Sequence, residues 1–222
     1  MCLILVAWKV HADFPLVVAA NRDEFHARPA SAAAFWSDKP EILAGRDLQA
    51  KGTWLGVSRS GRFASVTNYR GGRDPAAAES RGALVSRFLE NGIDPESYIA
   101  GLKPAAYSGF NLFAADRGSL WWLSNRGNGA RRLEPGFYAL GNLLLDSPEV
   151  MAIKARFEGA PVAIDPLFAL LSEARIVAPE YGTRCSTVVV AGRGGRMQFS
   201  ERAFDAAGAN GSTLRYEMDA RA

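Results

Sequence analysis

The chain opens on an unbroken apolar run, Cys2-Leu-Ile-Leu-Val-Ala-Trp8. A strand with one wet face alternates apolar and polar side chains, whereas a run without alternation suits a strand that is dry on both faces. The run therefore predicts a central strand of a layered protein, placed where most chains are frayed and exposed. It is not read as a secretory signal, because no basic residues precede it, no small-residue cleavage site ends it and Lys9 follows at once. Lys9, His11 and Asp13 also stop it well short of the ~20 residues that cross a bilayer, so no membrane span is expected.

With 222 residues, 48% hydrophobic and 22% charged, the chain has material for one large core. A single domain over residues 1–222 is expected, and disorder is excluded. Its 26 basic and 23 acidic residues leave a net charge of +3. Nucleic acid is not an expected partner, since binding needs clustered charge and Arg59, Arg62, Arg70, Arg73, Arg81 and Arg87 are spread over loops and a helix. Two histidines, His11 and His26, and two cysteines, Cys2 and Cys185, make no zinc-ligand spacing and no Ser-His-Asp or Cys-His set. No metal is expected, and the thiols point to a reducing, cytoplasmic setting.

Strand patterns cover Cys2 to Val10, Leu16 to Arg22, Ile42 to Ala44, Thr53 to Ser58 and Arg62 to Asn68, joined by turn residues that imply antiparallel hairpins. After a Gly- and Arg-rich loop, Tyr69 to Ala78, helical spacing begins at Ala83, with Ser80 as N-cap and Asn91-Gly92 as stop. A second helix is predicted from Asp94-Pro95 to Leu102. Strands return at Phe110 to Ala115 and Leu120 to Ser124, then as a short pair around Arg131 and Phe137 to Leu140. Helices are predicted at Pro148 to Phe157 and Pro166 to Ala174. Strands at Cys185 to Ala191, Met197 to Ala203 and Thr213 to Met218 close the chain. This order predicts an α+β fold of stacked, mainly antiparallel sheets with helices outside.

Cys2 is the residue most worth weighing for chemistry. Once Met1 is removed, as expected before so small a residue, thiol and α-amine share one residue, and the amine can accept the thiol proton without a histidine. The plainer alternative is a small apolar residue in a buried strand. Asn21-Arg22-Asp23-Glu24 ends the strand that pairs with the first, so a guanidinium from Arg22 and a carboxylate from Asp23 can approach the thiol. A solvated ion pair at a strand end is the competing use. Asn68, Asn142, Arg184 and Thr187 sit beside apolar strands, where an asparagine amide serves either as an oxyanion donor or as a turn residue.

Met1-Cys2, Asn21-Arg22-Asp23-Glu24-Phe25 with Ala27-Arg28-Pro29, Gly45-Arg46-Asp47-Leu48, Gly52-Thr53-Trp54-Leu55-Gly56-Val57, Val66-Thr67-Asn68-Tyr69-Arg70, Gly109-Phe110-Asn111-Leu112, Asn142 to Pro148 and Tyr181-Gly182-Thr183-Arg184 carry a resemblance. In this order they resemble the NRDE family, whose eukaryotic members are called transport and Golgi organisation protein 2. The family is similar to the N-terminal nucleophile (Ntn) hydrolases, which implies a four-layer αββα sandwich. By similarity to the Ntn amidohydrolases with an amino-terminal Cys, Cys2 is implied as nucleophile, Arg22 and Asp23 as its neighbours, Asn68 and Asn142 as oxyanion donors and Arg184 as a late Arg near the thiol. The implied activity is hydrolysis of a small acylated amide with no cofactor.

Arg22 and Asp23 are adjacent here, whereas the amidohydrolases separate the two by two residues. Neighbours on a strand face opposite ways, so Glu24 competes with Asp23 for the acid's place. Lys51 stands where the family often has Gly, and Gly141 where Ser is common. The family's association with haem trafficking implies a rival reading: a non-catalytic carrier of haem or an acyl lipid, drawing on Trp8, Trp36, Trp54, Trp121 and Trp122. The partner is a small molecule or hydrophobic ligand on either reading, and the residues carry no signal for oligomeric state.

Overall fold

The computed structural model describes residues 2–71, 74 and 77–220. Part of the loop expected at Tyr69 to Ala78 therefore lies outside the described residues, as does Met1. In chain order the elements are β1 (Leu3–Trp8), β2 (Leu16–Phe25), β3 (Ala30–Phe35), β4 (Ile42–Asp47), β5 (Leu55–Ser58), β6 (Phe63–Asn68), α1 (Arg81–Asn91) and α2 (Pro95–Ala100). There follow β7 (Phe110–Ala115), β8 (Leu120–Ser124), β9 (Gly129–Leu133), β10 (Gly136–Leu140), α3 (Met151–Glu158), α4 (Ile164–Ser172), β11 (Tyr181–Ala191), β12 (Arg196–Phe204) and β13 (Asn210–Asp219). The chain divides into two compact units.

The first unit takes the chain up to Arg28, Pro135–Gly141 and Leu145–Asp219. Its six-stranded sheet runs β10-β1-β2-β11-β12-β13, every pair antiparallel. Leu3, Leu5 and Ala7 of β1, with Val17 and Ala19 of β2 and Val188 and Val190 of β11, pack against Phe157 of α3 and Leu167, Phe168 and Leu171 of α4. The alternate residues Ile4, Val6, Val18, Ala20 and Val189 are equally buried. Both faces of β1 are dry, which accounts for the missing alternation. The strand ends at Trp8, because Lys9 takes a left-handed backbone (φ 51°) and donates its amide to Pro15 O.

The second unit, chiefly Pro29–Glu134, is a seven-stranded meander in which β3 to β9 pair in chain order. Leu84, Val85, Phe88 and Leu89 of α1 cover Ile42, Ala44, Ala64, Val66, Leu112 and Ala114. Leu43, Val57, Phe63 and Phe113, which alternate with them, are buried as well. Gly52 is where α1 begins to touch the sheet: a Cβ there would lie 2.5 Å from the Gly82 carbonyl carbon, a main-chain atom that cannot yield. The Gly52-Thr53-Trp54 motif is thus a packing device.

The helices obey their end signals unevenly. Gly92 ends α1 in a left-handed turn (φ 68°), but Ser80 makes no side-chain cap, whereas the Asp94 carboxylate accepts from the Ser97 amide at 2.9 Å to open α2. The helix expected from Pro148 begins as a 3-10 turn, Pro148–Val150, before α3. The pair expected around Arg131 and Phe137 does not form. β9 pairs with β8 and β10 with β1, because exposed Arg131 and Arg132 suit a sheet edge while buried Ala139 and Leu140 extend the core against β1. β3 was not expected. Two mainly antiparallel sheets, each with helices on one face, are the make-up predicted for the α+β class.

Candidate functional site

The β1–β2 register pairs Leu3 with Asn21, so Cys2 meets the strand end formed by Arg22 and Asp23. Its Sγ donates to the Asp23 carbonyl at 3.3 Å and accepts from the Asp23 amide at the same distance. Burial, followed by the charge of Asp23, pushes the thiol up to about 11. The seat holds the sulfur but disfavours the thiolate.

Strand alternation gives each member of Asn21-Arg22-Asp23-Glu24 a separate task. Asn21, fully buried, donates to Leu171 O at the end of α4 and accepts from Ser186 Oγ, fastening helix to sheet. Arg22 turns the other way and lies 3.9 Å from Glu24, which also stands 3.8 Å from Arg28. Asp23 is buried, and its Oδ1 accepts from Thr183 Oγ1 at 2.6 Å, while Thr183 Oγ1 accepts in turn from the Ile176 amide. Burial raises the Asp23 carboxyl above its ordinary range, with the Thr183 hydroxyl opposing. Arg22 and Asp23 therefore separate as the alternation requires: Glu24 is the acid beside the guanidinium, and Asp23 is the acid beside Cys2.

Arg184 sits at an irregularity of the sheet. The β2–β11 pairing shifts register between Thr183 and Cys185, leaving Arg184 as the extra residue of a bulge. Its Nη1 donates to the carbonyls of Phe25, His26 and Arg28. The guanidinium thus clamps the loop that follows β2. Cys2 and Cys185 are both free thiols, and burial raises Cys185 well above the ordinary thiol range.

Asn68 and Asn142 belong to the second unit, where Asn142 Nδ2 donates to Asn68 O at 2.6 Å and the Arg70 amide donates to Asn142 O. Lys51, where Gly was noted as common, adopts a left-handed backbone (φ 63°), the conformation glycine takes at least cost.

Two residues near Cys2 were not singled out from sequence, Tyr181 and Thr183. Tyr181 Oη donates to the Asp23 carbonyl that also receives the thiol proton, and burial followed by the nearness of Cys2 raises its phenol well above the ordinary range. Both stand in Tyr181-Gly182-Thr183-Arg184, the motif that carries Arg184, so the sequence holds their signal. Among the described residues no group of three His, Cys, Asp or Glu could hold a metal ion, and no helix is long and apolar enough to cross a membrane.

Solved structures share the fold. The Caenorhabditis elegans N-acylethanolamine-hydrolyzing acid amidase ortholog superposes with a TM-score of 0.59 at 14% identity, over 85% of this chain and 92% of that one. A mutant conjugated bile acid hydrolase from Clostridium perfringens gives 0.62 at 8% identity, over 100% and 94%. At such identities the likeness establishes the fold, the αββα architecture of the Ntn hydrolases. By sequence, the chain is 34% identical to the Transport and Golgi organization protein 2 homolog of Bos taurus and 31% identical to that of Homo sapiens, each over 85% of this chain and 86% of the relative. The family model for Transport and Golgi organisation 2 matches residues 1–163, and the chain belongs to that family.

Proposed function

We propose that the protein is a cysteine amidohydrolase acting on a small acylated amide, with Cys2 as nucleophile once Met1 is removed. The observation that carries this reading is the seating of the Cys2 sulfur between the amide and carbonyl of Asp23, with a buried carboxylate on the same residue. The fold shared with two amide hydrolases supports it.

In this reaction the α-amine of Cys2 takes the thiol proton and the sulfur attacks the amide carbonyl, forming a C–S bond. The C–N bond then breaks, and the leaving amine departs with that proton. Water adds to the thioester, releasing the carboxylic acid and restoring the thiol. Asp23 holds the ammonium form of the α-amine by charge. Asn68 and Asn142 are proposed as the oxyanion donors on the strength of their motifs. The two free thiols support placing the protein in a reducing, cytoplasmic compartment.

Intact-mass analysis of untagged protein incubated with an activated N-acyl probe tests the proposal. A single acyl adduct on Met1-free chain, absent from Cys2→Ala, is expected. A chain that retains Met1 in its native host overturns the mechanism. Saturable one-to-one haem binding that survives Cys2→Ala, with no acyl adduct, would replace it with the carrier reading.

A further inference from the structure

On the helix side of the first unit's sheet lies a cavity of about 410 Å³, lined by Asp165, Phe168, Arg175, Arg202, Phe204 and Asn210 among others. The volume falls within the range of roughly 300–1,000 Å³ found for small-molecule sites. Its residues come from α4, the chain just after it, β12 and β13, and none of them touches Cys2.

Two guanidiniums are stacked on two rings there. The Arg202 Cζ lies 4.4 Å from the Phe168 centroid, and the Arg175 Cζ lies 4.4 Å from that of Phe204. Stacking fixes the plane of a guanidinium and leaves its edge to a coplanar acceptor. Arg202 spends Nε on Thr213 Oγ1 and reaches Asp165 only at 3.9 Å, while Asp165 is engaged by Arg215 at 3.1 Å. Arg175 spends Nη1 on Gly208 O, and its Nε is buried with no acceptor. Among the described residues no carboxylate pairs with Arg175. Asp165 is thus shared by Arg202 and by Arg215, which stands outside the lining, while Arg175 bonds only a carbonyl, next to aromatic walls.

We propose that this cavity binds a small organic carboxylate on an apolar, ring-sized body. The planar carboxylate pairs with the edges of Arg175 and Arg202, as guanidinium geometry favours, and the body lies against Phe168 and Phe204. The excess of guanidinium over carboxylate calls for an anion, and the stacked, planar edges beside Phe168 and Phe204 favour a flat carboxylate over a tetrahedral phosphate.

Isothermal titration and amide NMR of the full chain with benzoate, benzamide and inorganic phosphate test this. Expected are saturable one-to-one binding of benzoate with shifts at Gly208 and Asn210, no binding of benzamide, and unchanged benzoate affinity in Cys2→Ala. Arg175→Gln and Arg202→Gln should each weaken benzoate at least tenfold. Asn210→Asp, which leaves both stacks intact, should do the same should an arginine variant fail to fold. Absence of saturable benzoate binding, equal binding of benzamide, tighter binding of phosphate, or loss in Cys2→Ala would each overturn the proposal.

Discussion

At neutral pH a thiol held near 11 is ionised in about one molecule in ten thousand, roughly a hundredfold less than an ordinary thiol with a pKa of 9.0. Desolvation and the Asp23 charge outweigh the Asp23 amide and the Arg22 guanidinium, which favour the thiolate, so a further positive charge on the sulfur's own residue would tip the balance. A Cys2 α-ammonium supplies it. Iodoacetamide labelling of Cys2, followed by peptide mass against pH, should therefore rise only above about pH 10 in a chain that keeps Met1 and at least one unit lower in a chain without it. Coincident profiles would show that the amine does not reach the thiol. Thr183 is the second lever, since one hydroxyl serves both the Asp23 carboxylate and the Ile176 amide. Thr183→Val keeps the shape and strands two buried polar groups, and should cost about 2–4 kcal/mol, read from the urea midpoint.

At the scale of elements, the bulge in β11 and the clamp on residues 25–28 are one feature. Arg184→Met removes three carbonyl contacts from an otherwise short connection. Hydrogen exchange at the Arg28 amide, which donates to Phe25 O, should accelerate about tenfold or more while β1 and β2 amides stay unchanged. Unchanged exchange at Arg28 would assign Arg184 to something other than the loop. The sequence could not show this role, because a bulge depends on a register shift between strands more than 150 residues apart, and Arg184 beside a Val-rich strand reads as an ordinary strand entrance. β1, by contrast, was legible, since seven apolar residues in a row tolerate only one environment. β3 was not. Its sequence Ala-Ser-Ala-Ala-Ala-Phe has no β-branched residue and is largely exposed, so pairing with β4 rather than side-chain preference makes it a strand. The site was legible in its parts: Cys2 and Asp23 meet as the hairpin implied, while the separate tasks of Asn21, Arg22 and Glu24 emerge only once alternation and helix packing are known.

For the whole molecule, the two raised thiols set a limit on the alkaline side. Below pH 9 both folded and unfolded chains keep these protons, so the thiols do not affect stability. Above it the unfolded chain releases them and the folded chain does not, so stability falls by about 1.4 kcal/mol per pH unit per thiol until the folded pKa is passed. Urea midpoints at pH 8 and pH 10.5, measured on chains that keep Met1, should therefore fall more steeply in the native sequence than in a Cys2→Ala/Cys185→Ala double variant. Parallel slopes would show that neither thiol is shielded.

The pairing of β2 with β11 also has a meaning in time. Tyr181 leaves the ribosome 158 residues after Asp23, which at the usual 5–20 residues per second is roughly ten to thirty seconds. The second unit's strands, contiguous and paired in chain order, can zip up as they emerge, while the β2 edge of the β1–β2 hairpin waits for β11. During that wait the first residues are open to the aminopeptidase that clears an initiator methionine. The late arrival of β11 keeps the window for exposing the Cys2 amine open before the thiol is buried.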